Sequence, residues 1–330
     1  MAYRPVSAPQ RLRPIVTNGR RCAPTGTRTS NLQRIANTAI PPAGIPRTAD
    51  AIMPPMTDDA PRNIRDLKKI AEGAEAEIFA WNGGNVLRLF RTGREDGTLA
   101  HEEAAMRAGR AALPLVPAIV GRVDVDGRPG LVMERVDGPD LITLLSRKPW
   151  LMWRAGTISG DVHAQLHDVV APPSLASLHD RGRLRLASPL VPEHARLAAL
   201  REIESLPDGD RLLHGDFHPG NILMSACGPV VIDWPNTTRG DPHADVARTL
   251  MMVRGGVLPP GTPLVARLGA ALARKMIVPS YLRAYRRRHQ LDPELLRRWT
   301  IVNLAIRFAE NLPGERESLL RSLAELGVTD

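Results

Sequence analysis

Oxygen-bearing and imidazole side chains are concentrated between His214 and Asp233. From Leu213 the sequence runs Leu-His-Gly-Asp-Phe-His-Pro-Gly-Asn-Ile-Leu, and Val-Ile-Asp-Trp follows from Val231. Asp216 and Asn221 are five positions apart, and Asp233 follows a short predicted hairpin. Carboxylate and amide oxygens are ligands that Mg²⁺ prefers, and a further carboxylate can orient an attacking hydroxyl. These side chains are therefore the types that a metal-assisted phosphoryl transfer requires.

The spacing is that of a kinase catalytic loop. There an Asp that receives the hydroxyl proton precedes a metal-binding Asn by five positions, and a second metal-binding Asp opens the next loop. The strings H-G-D-F-H-P-G-N-I-L and I-D-W resemble those of the aminoglycoside phosphotransferase and choline kinase group of small-molecule kinases. Gly215 and Trp234 stand where protein kinases usually carry Arg and Phe. The resemblance covers roughly residues 64 to 326.

The resemblance implies an α+β, two-lobed protein-kinase-like fold, with a small antiparallel sheet in the N-lobe and a mainly helical C-lobe. It also implies ATP- and Mg²⁺-dependent transfer of a γ-phosphoryl group to a small-molecule hydroxyl, such as an aminoglycoside-like antibiotic, an amino alcohol or a sugar-like metabolite. Asp216 is then the catalytic residue, and Asn221 and Asp233 are the metal ligands.

A different interpretation treats His214, Asp216 and His218 as a transition-metal site, because imidazole and carboxylate groups at alternate positions can converge. That interpretation gives no role to Gly220 or to Asn221. Under the kinase interpretation His214 is expected to support the loop by packing and hydrogen bonding.

The nucleotide side of the site is expected upstream. Residues 69–81, a turn at Asn82–Asn85 and residues 86–90 predict a strand-turn-strand unit. Gly73 begins a stretch that resembles the loop covering the nucleotide, although it has a single Gly and also fits an ordinary turn. Residues 131–138 resemble the linker between the lobes, where backbone groups of Glu134 and Val136 would meet adenine.

Arg88 is the main departure from the family, whose third strand carries a Lys that binds the α- and β-phosphates. Arg is permanently charged and can bind phosphate through two nitrogens, but it differs in shape and reach. Arg88 therefore either steadies the phosphates in an altered geometry or marks a nucleotide-binding protein with weak or no transfer. We predict Glu103, on a helix over 99–110, as its partner, with Glu102 as the second choice and a solvated acidic face as the alternative.

Further along, His163 and His167 lie four apart on a predicted helix and are expected to be structural, since no zincin-type acidic partner accompanies them. Residues 168–191 are expected to be a loop. Asp245 resembles the family residue that accepts hydrogen bonds from the backbone of the catalytic loop. The acidic residues that could bind a cationic acceptor are Asp292, Glu294 and Glu310, which form no dense cluster.

Composition limits the remaining possibilities. Residues 1–49 contain eight arginines and no acidic residue, so they account for +8 of the net charge of +9 and leave +1 for the rest. This balance argues against specific nucleic-acid binding by the folded part. We predict a disordered basic tail over 1–62, with a transit peptide or a true start at Met56 as alternatives, an N-lobe over 63–136 and a C-lobe over 137–330.

The chain has two cysteines, Cys22 and Cys227, and no apolar run of the length that a membrane span needs. We therefore expect a cytoplasmic protein with no membrane partner. The sequence leaves the oligomeric state open.

Overall fold

The computed structural model describes residues 63–73, 75–91, 96–255 and 264–329. The predicted tail over 1–62 therefore lies outside the described residues. Within those ranges, no helix combines the length and the apolar character that crossing a membrane requires.

A five-stranded antiparallel sheet forms the N-terminal part of the described chain, in the order β1-β2-β3-β5-β4. One long helix, α1 (Asp96–Ala112), connects β3 to β4. The two apolar runs that were expected to pair do so, with Ile78 opposite Arg88 on the neighbouring strand. The strands are β1 (Lys69–Glu72), β2 (Ala76–Trp81), β3 (Asn85–Phe90), β4 (Ile119–Val125) and β5 (Arg128–Glu134).

Alternation along β3 decides which side chains face the interior of the molecule. Leu87 and Leu89 are fully buried in a cluster on one face of the sheet. Arg88 and Phe90 point to the opposite face because successive residues of a strand alternate in direction. Phe90 packs in the main core with Met106 of α1, so Arg88 faces the space between the sheet and the helix.

The rest of the described chain is mainly helical, with two short antiparallel strand pairs, β6–β9 and β7–β8. The strands are β6 (Arg211–Leu213), β7 (Ile222–Ser225), β8 (Gly228–Val231) and β9 (Thr238–Gly240). The helices are α2 (Leu141–Arg147), α3 (Met152–Leu166), α4 (Leu178–Leu186), α5 (Glu193–Ser205), α6 (Pro242–Gly255), α7 (Leu264–Tyr285), α8 (Pro293–Phe308) and α9 (Arg316–Glu325).

Helices α3 and α7 pack so closely that a side chain at Gly160 would not fit. A Cβ there would lie 2.3 Å from the carbonyl oxygen of Tyr281. This approach brings the imidazoles of α3 next to the tyrosines of α7, beneath the catalytic loop.

Helix α4 was not predicted, and the expectation of a loop over 168–191 is wrong for this segment. The side chain of Ser177 caps the helix by accepting a hydrogen bond from the His179 backbone N–H at 3.1 Å. Its buried face consists of His179, Gly182 and Leu186. That spacing is helical, but two of the three residues are not strongly apolar, so no hydrophobic period appears in the sequence.

Candidate active site

The catalytic loop begins at the end of β6 and turns sharply at Gly215. The φ angle of Gly215 is 74°, and a Cβ there would lie 2.3 Å from the Asn236 carbonyl oxygen. Glycine is therefore required on both conformational and steric grounds. The turn presents the Asp216 side chain at the surface of the cleft with 25% of its area exposed.

The two predicted metal ligands lie on either side of the β7–β8 hairpin and are connected through the backbone. The Ile232 N–H donates to the Asn221 carbonyl at 3.0 Å, directly before Asp233. Asn221 Nδ2 donates to the Asp216 carbonyl at 2.9 Å, which leaves its Oδ1 available as a ligand. Asp233 has a positive φ of 68°, and its carboxylate is 40% exposed. An amide oxygen and an accessible carboxylate are donors that suit Mg²⁺.

Asp245 holds the catalytic loop from below, as the resemblance implied. Its Oδ2 accepts the His214 backbone N–H at 2.6 Å, and its Oδ1 accepts that of Gly215 at 3.0 Å. The buried His214 ring contacts the Ile232 carbonyl at 3.1 Å, which confirms its supporting role. Thr249 Oγ1 adds a hydrogen bond to the Phe217 carbonyl at 2.9 Å.

His163 and His167 have the acidic partner that the sequence analysis did not find, because Asp245 is about eighty residues away in the chain. Their Nε2 atoms lie 3.1 and 3.3 Å from Asp245 Oδ2, and their Nδ1 atoms lie 2.8 and 2.6 Å from the hydroxyls of Tyr281 and Tyr285. Burial lowers the pKa of both histidines, to about 4 for His167. Neutral rings that donate from Nε2 and accept at Nδ1 satisfy every one of these contacts.

This network supports the expected structural role of the two histidines, and their acidic partner comes from a distant helix and not from a zincin-type arrangement. Among the described residues, these two imidazoles and Asp245 are also the one cluster with metal-ligand spacing. The predicted alternative of a transition-metal site at His214, Asp216 and His218 is not favoured, since His218 Nε2 lies 3.9 Å from Asp216 Oδ2 and its Nδ1 accepts the Gly220 N–H.

Arg88 reaches from the sheet to the loop that carries the second metal ligand. Its Nη2 lies 3.1 Å from Asp233 Oδ1, and its Nε lies 3.1 Å from Glu102 Oε1. The second contact is an ion pair without hydrogen-bond alignment, so Arg88 Nε and Glu102 Oε2 are buried polar atoms without a hydrogen-bond partner in the described structure. Unused donor capacity at this position fits a site for nucleotide phosphates.

The predicted pairing of Arg88 with Glu103 is wrong. Glu103 forms ion pairs with Arg107, at 2.7 Å, and with Arg122, while Glu102 faces the cleft at 1% exposure. Adjacent helix residues point about 100° apart, so only one of the two can face β3. Burial raises the pKa of Glu102 to about 7, and the charge of Arg88 limits the rise.

The remaining nucleotide-side candidates lie at the edges of the sheet. Gly73 is exposed between β1 and β2, and its N–H donates to the Ala76 carbonyl at 2.9 Å. The Glu134 N–H donates to the Ala118 carbonyl at 2.8 Å, so only the carbonyl group of Glu134 is available to accept a hydrogen bond from adenine. Val136 follows two residues later and is half-buried.

None of the three acidic residues suggested for a cationic acceptor offers a free carboxylate. Asp292 caps α8 through the Glu294 backbone N–H, and the Glu294 side chain pairs with Arg297. Glu310 contacts three guanidinium groups instead, which belong to Arg185, Arg248 and Arg307.

Arginines of α4 and α6 are the functional candidates that the sequence analysis missed. Arg181 donates to the carbonyls of Pro235 and Thr237, and Arg248 donates to that of Gly215. These contacts position the loops that carry Asp216 and Asp233. The sequence feature that could have predicted α4 is Ser177, an N-cap residue that precedes a charged segment. This feature is weak evidence for a helix when no apolar face accompanies it.

Comparison with known proteins identifies the family of this chain. The sequence profile described as "Phosphotransferase enzyme family" matches residues 66–291. Streptomycin 6-kinase of Streptomyces glaucescens is 27% identical over 201 residues, which cover 60% of this chain and 57% of that protein. Hydroxyurea phosphotransferase of Kitasatospora aureofaciens is 34% identical over 180 residues, which cover 54% of this chain and 46% of that protein. The chain thus spans about half the length of the curated relatives it matches.

Among solved structures, an aminoglycoside-3'-phosphotransferase of type VIII superposes with a TM-score of 0.51 at 18% identity. The superposition covers 72% of this chain and 90% of the other. This likeness confirms the predicted two-lobed protein-kinase-like fold.

Proposed function

The chain belongs to the phosphotransferase enzyme family, and we propose that it transfers the γ-phosphoryl group of ATP to a hydroxyl of a small molecule. The observation that carries this proposal is the placement of Asp216, Asn221 and Asp233 on two hydrogen-bonded loops at one end of the β7–β8 hairpin, with Arg88 in contact with Asp233. An accessible carboxylate, two oxygen ligands and a cation are the groups that phosphoryl transfer uses.

In this proposal Asp216 orients the acceptor hydroxyl and takes its proton. The new bond forms between that oxygen and the γ-phosphorus, while the bond to the bridging oxygen breaks and ADP leaves. Asn221 and Asp233 hold Mg²⁺, which neutralises charge on the phosphate oxygens when it is bound. Arg88 binds the α- and β-phosphates, and Glu102 positions Arg88. Gly73, Glu134 and Val136 contact the nucleotide through their backbones.

The test is Mg²⁺-dependent ADP release with a panel of hydroxylated compounds. Streptomycin and hydroxyurea are the first to include, because the matched relatives carry those names. Asp216→Asn should abolish release, whereas Asp210→Asn should not, because Asp210 is 59% exposed beside Arg211. A panel that gives no turnover above the Asp216→Asn background would overturn the proposal.

The Arg88–Asp233 ion pair favours one alternative, a nucleotide-binding protein with weak or no transfer. A cation on Asp233 competes with the metal ion for the same carboxylate. Stabilisation by Mg-ATP without turnover would support this alternative, as would turnover gained by Arg88→Lys.

We place the proposed reaction in the cytoplasm, where ATP is available, with no nucleic-acid or membrane partner. The near-neutral charge of residues 50–330 supports the first absence. The test is retention of the full chain on DNA at low salt. If the chain is retained and deletion of residues 1–55 leaves that retention unchanged, the absence of a nucleic-acid partner is contradicted.

A further inference from the structure

Two arginines of helix α4 surround the loop that follows Asp233. Arg181 donates from Nη2 to the Pro235 carbonyl at 3.0 Å and from Nη1 to the Thr237 carbonyl at 3.2 Å. One turn later, Arg185 Nη2 donates to Asn236 Oδ1 at 2.7 Å. These partners are uncharged, so they fix the positions of the guanidinium groups without neutralising them.

The carboxylate that contacts Arg185 is shared among several cations. Glu310 Oε1 lies 2.7 Å from Arg248 Nη2 and 3.4 Å from Arg185 Nη1, and its Oε2 contacts Arg307. Arg307 has a second carboxylate partner in Glu315. Arg185 and Arg248 thus share the Glu310 carboxylate with Arg307, and Arg181 adds a further positive charge, on which the Glu75 carboxylate acts.

The cluster is electrostatically costly as it stands. Burial, together with the charges of Arg185 and Arg248, lowers the pKa of Arg181 to about 10, although the Glu75 carboxylate opposes the change. Burial and Arg248 also lower the pKa of Arg185, while the carboxylates of Glu310, Glu75 and Asp216 oppose the change. Grouped, partly desolvated like charges in a cleft are typical of a ligand site. An added anion would stabilise this one.

The cluster lies beside the catalytic loop, because Arg248 donates to the carbonyl of Gly215, which directly precedes Asp216. The Arg185 side chain is 29% exposed and that of Asp216 is 25% exposed. Arg185 belongs to the helical lobe, whereas Arg88, which faces the nucleotide side, belongs to the sheet. An anion bound by Arg185 would therefore be held by the helical lobe, which also carries Asp216.

We infer that Arg185 and its neighbour Arg181 bind a carboxylate or phosphate group of the acceptor while Asp216 holds the acceptor hydroxyl. This inference rests on the proposed function and names the acceptor class as a hydroxylated acid instead of a polycation. A polycationic acceptor would have to place its charges beside three guanidinium groups, which are held in place by hydrogen bonds to the uncharged Pro235, Asn236 and Gly215.

The experiment uses the full chain with a non-hydrolysable ATP analogue and Mg²⁺, and measures the Kd of three sugars on one carbon frame. Glucuronate carries a carboxylate at C6 and glucosamine carries an ammonium group at C2, whereas glucose is neutral at both positions. The inference predicts that glucuronate binds at least tenfold more tightly than glucosamine. Arg185→Gln should remove that preference, and the matched control Arg183→Gln should keep it, since Arg183 is an exposed residue of the same helix.

Equal affinity for the three sugars, no binding by any of them, or a preference that survives Arg185→Gln would overturn the inference. A weaker Kd for the nucleotide in Arg185→Gln, with the sugar preference intact, would assign the anion to the nucleotide phosphates and overturn it as well. Asp216-dependent ADP release is measured in parallel. Release without an acid preference refutes only the acceptor class, whereas loss of all release refutes the proposed function.

Discussion

Replacing Asp245 by Asn should destabilise the protein and disable the catalytic loop together. The buried carboxylate accepts the backbone N–H groups of His214 and Gly215 and contacts Nε2 of His163 and of His167. Burial alone would raise the pKa of Asp245, but the two histidines more than offset this and hold the pKa well below its usual range. The group is therefore ionised, and its contacts are charge-assisted.

The magnitude follows from the number of donors. A hydrogen bond to a charged group contributes roughly 1.5–3 kcal/mol, and Asn keeps one acceptor oxygen while it turns an NH₂ group toward existing donors. Asp245→Asn should thus lose about 3–5 kcal/mol in the free energy of unfolding. Because Gly215 immediately precedes Asp216, kcat should fall by about 100-fold when the loop shifts by an ångström.

Urea unfolding followed by tryptophan fluorescence measures the first quantity, and ADP release at saturating substrate measures the second. Asp161→Asn is the matched control, because Asp161 lies on α3 beside His163 but pairs with Arg287 at the surface. That change should cost less than about 1 kcal/mol. The reasoning is refuted if Asp245→Asn unfolds at the wild-type urea concentration, or if its stability falls while kcat stays unchanged.

The other predictions concern Glu102 and the buried histidines. Glu102→Gln should lower kcat/KM for ATP by about tenfold or more because it releases Arg88, whereas Glu103→Gln should change it less than about threefold; equal effects in steady-state kinetics would contradict the assigned pairing. His167 has a folded pKa of about 4 against an ordinary 6.5, so the unfolded chain binds more protons between these values. The contribution of this group to the free energy of unfolding should therefore decrease as pH falls from about 6.5 to 4, by about 1.4 kcal/mol per pH unit. Glu102, whose pKa is raised to about 7, contributes with the opposite sign, so the urea titrations use the Glu102→Gln variant, in which a flat profile over that range would count against the neutral buried imidazole.

The catalytic loop could be predicted because its information is local. Asp216, Asn221 and Asp233 lie within eighteen residues, and the spacing alone restricts how their side chains can meet. The sheet could be predicted for a similar reason, since β-prone runs separated by Asn-Gly-Gly pair with their neighbours in sequence.

What could not be predicted depends on contacts between distant segments. Whether Glu102 or Glu103 pairs with Arg88 depends on how α1 is rotated about its axis relative to β3. The spacing of apolar residues in the sequence predicts that rotation only to within one residue. Asp245 and His163 are 82 residues apart in the chain, so no local sequence spacing predicts their hydrogen bond. Arg185 lies on a helix without a strong apolar face, and its importance comes from Glu310, 125 residues away.

Position 88 carries Arg where the family carries Lys, and this difference changes which groups the side chain connects. A lysine ends in a single ammonium group, whereas Arg88 places Nε at Glu102 and Nη2 at Asp233, both at 3.1 Å. One side chain therefore connects the helix of the sheet lobe to the loop of the helical lobe that carries the proposed metal ligand Asp233. A nucleotide that draws Arg88 onto its phosphates would also free the Asp233 carboxylate for Mg²⁺. Phosphate binding and metal binding are then coupled through a single guanidinium group, so the departure from the family need not weaken the site.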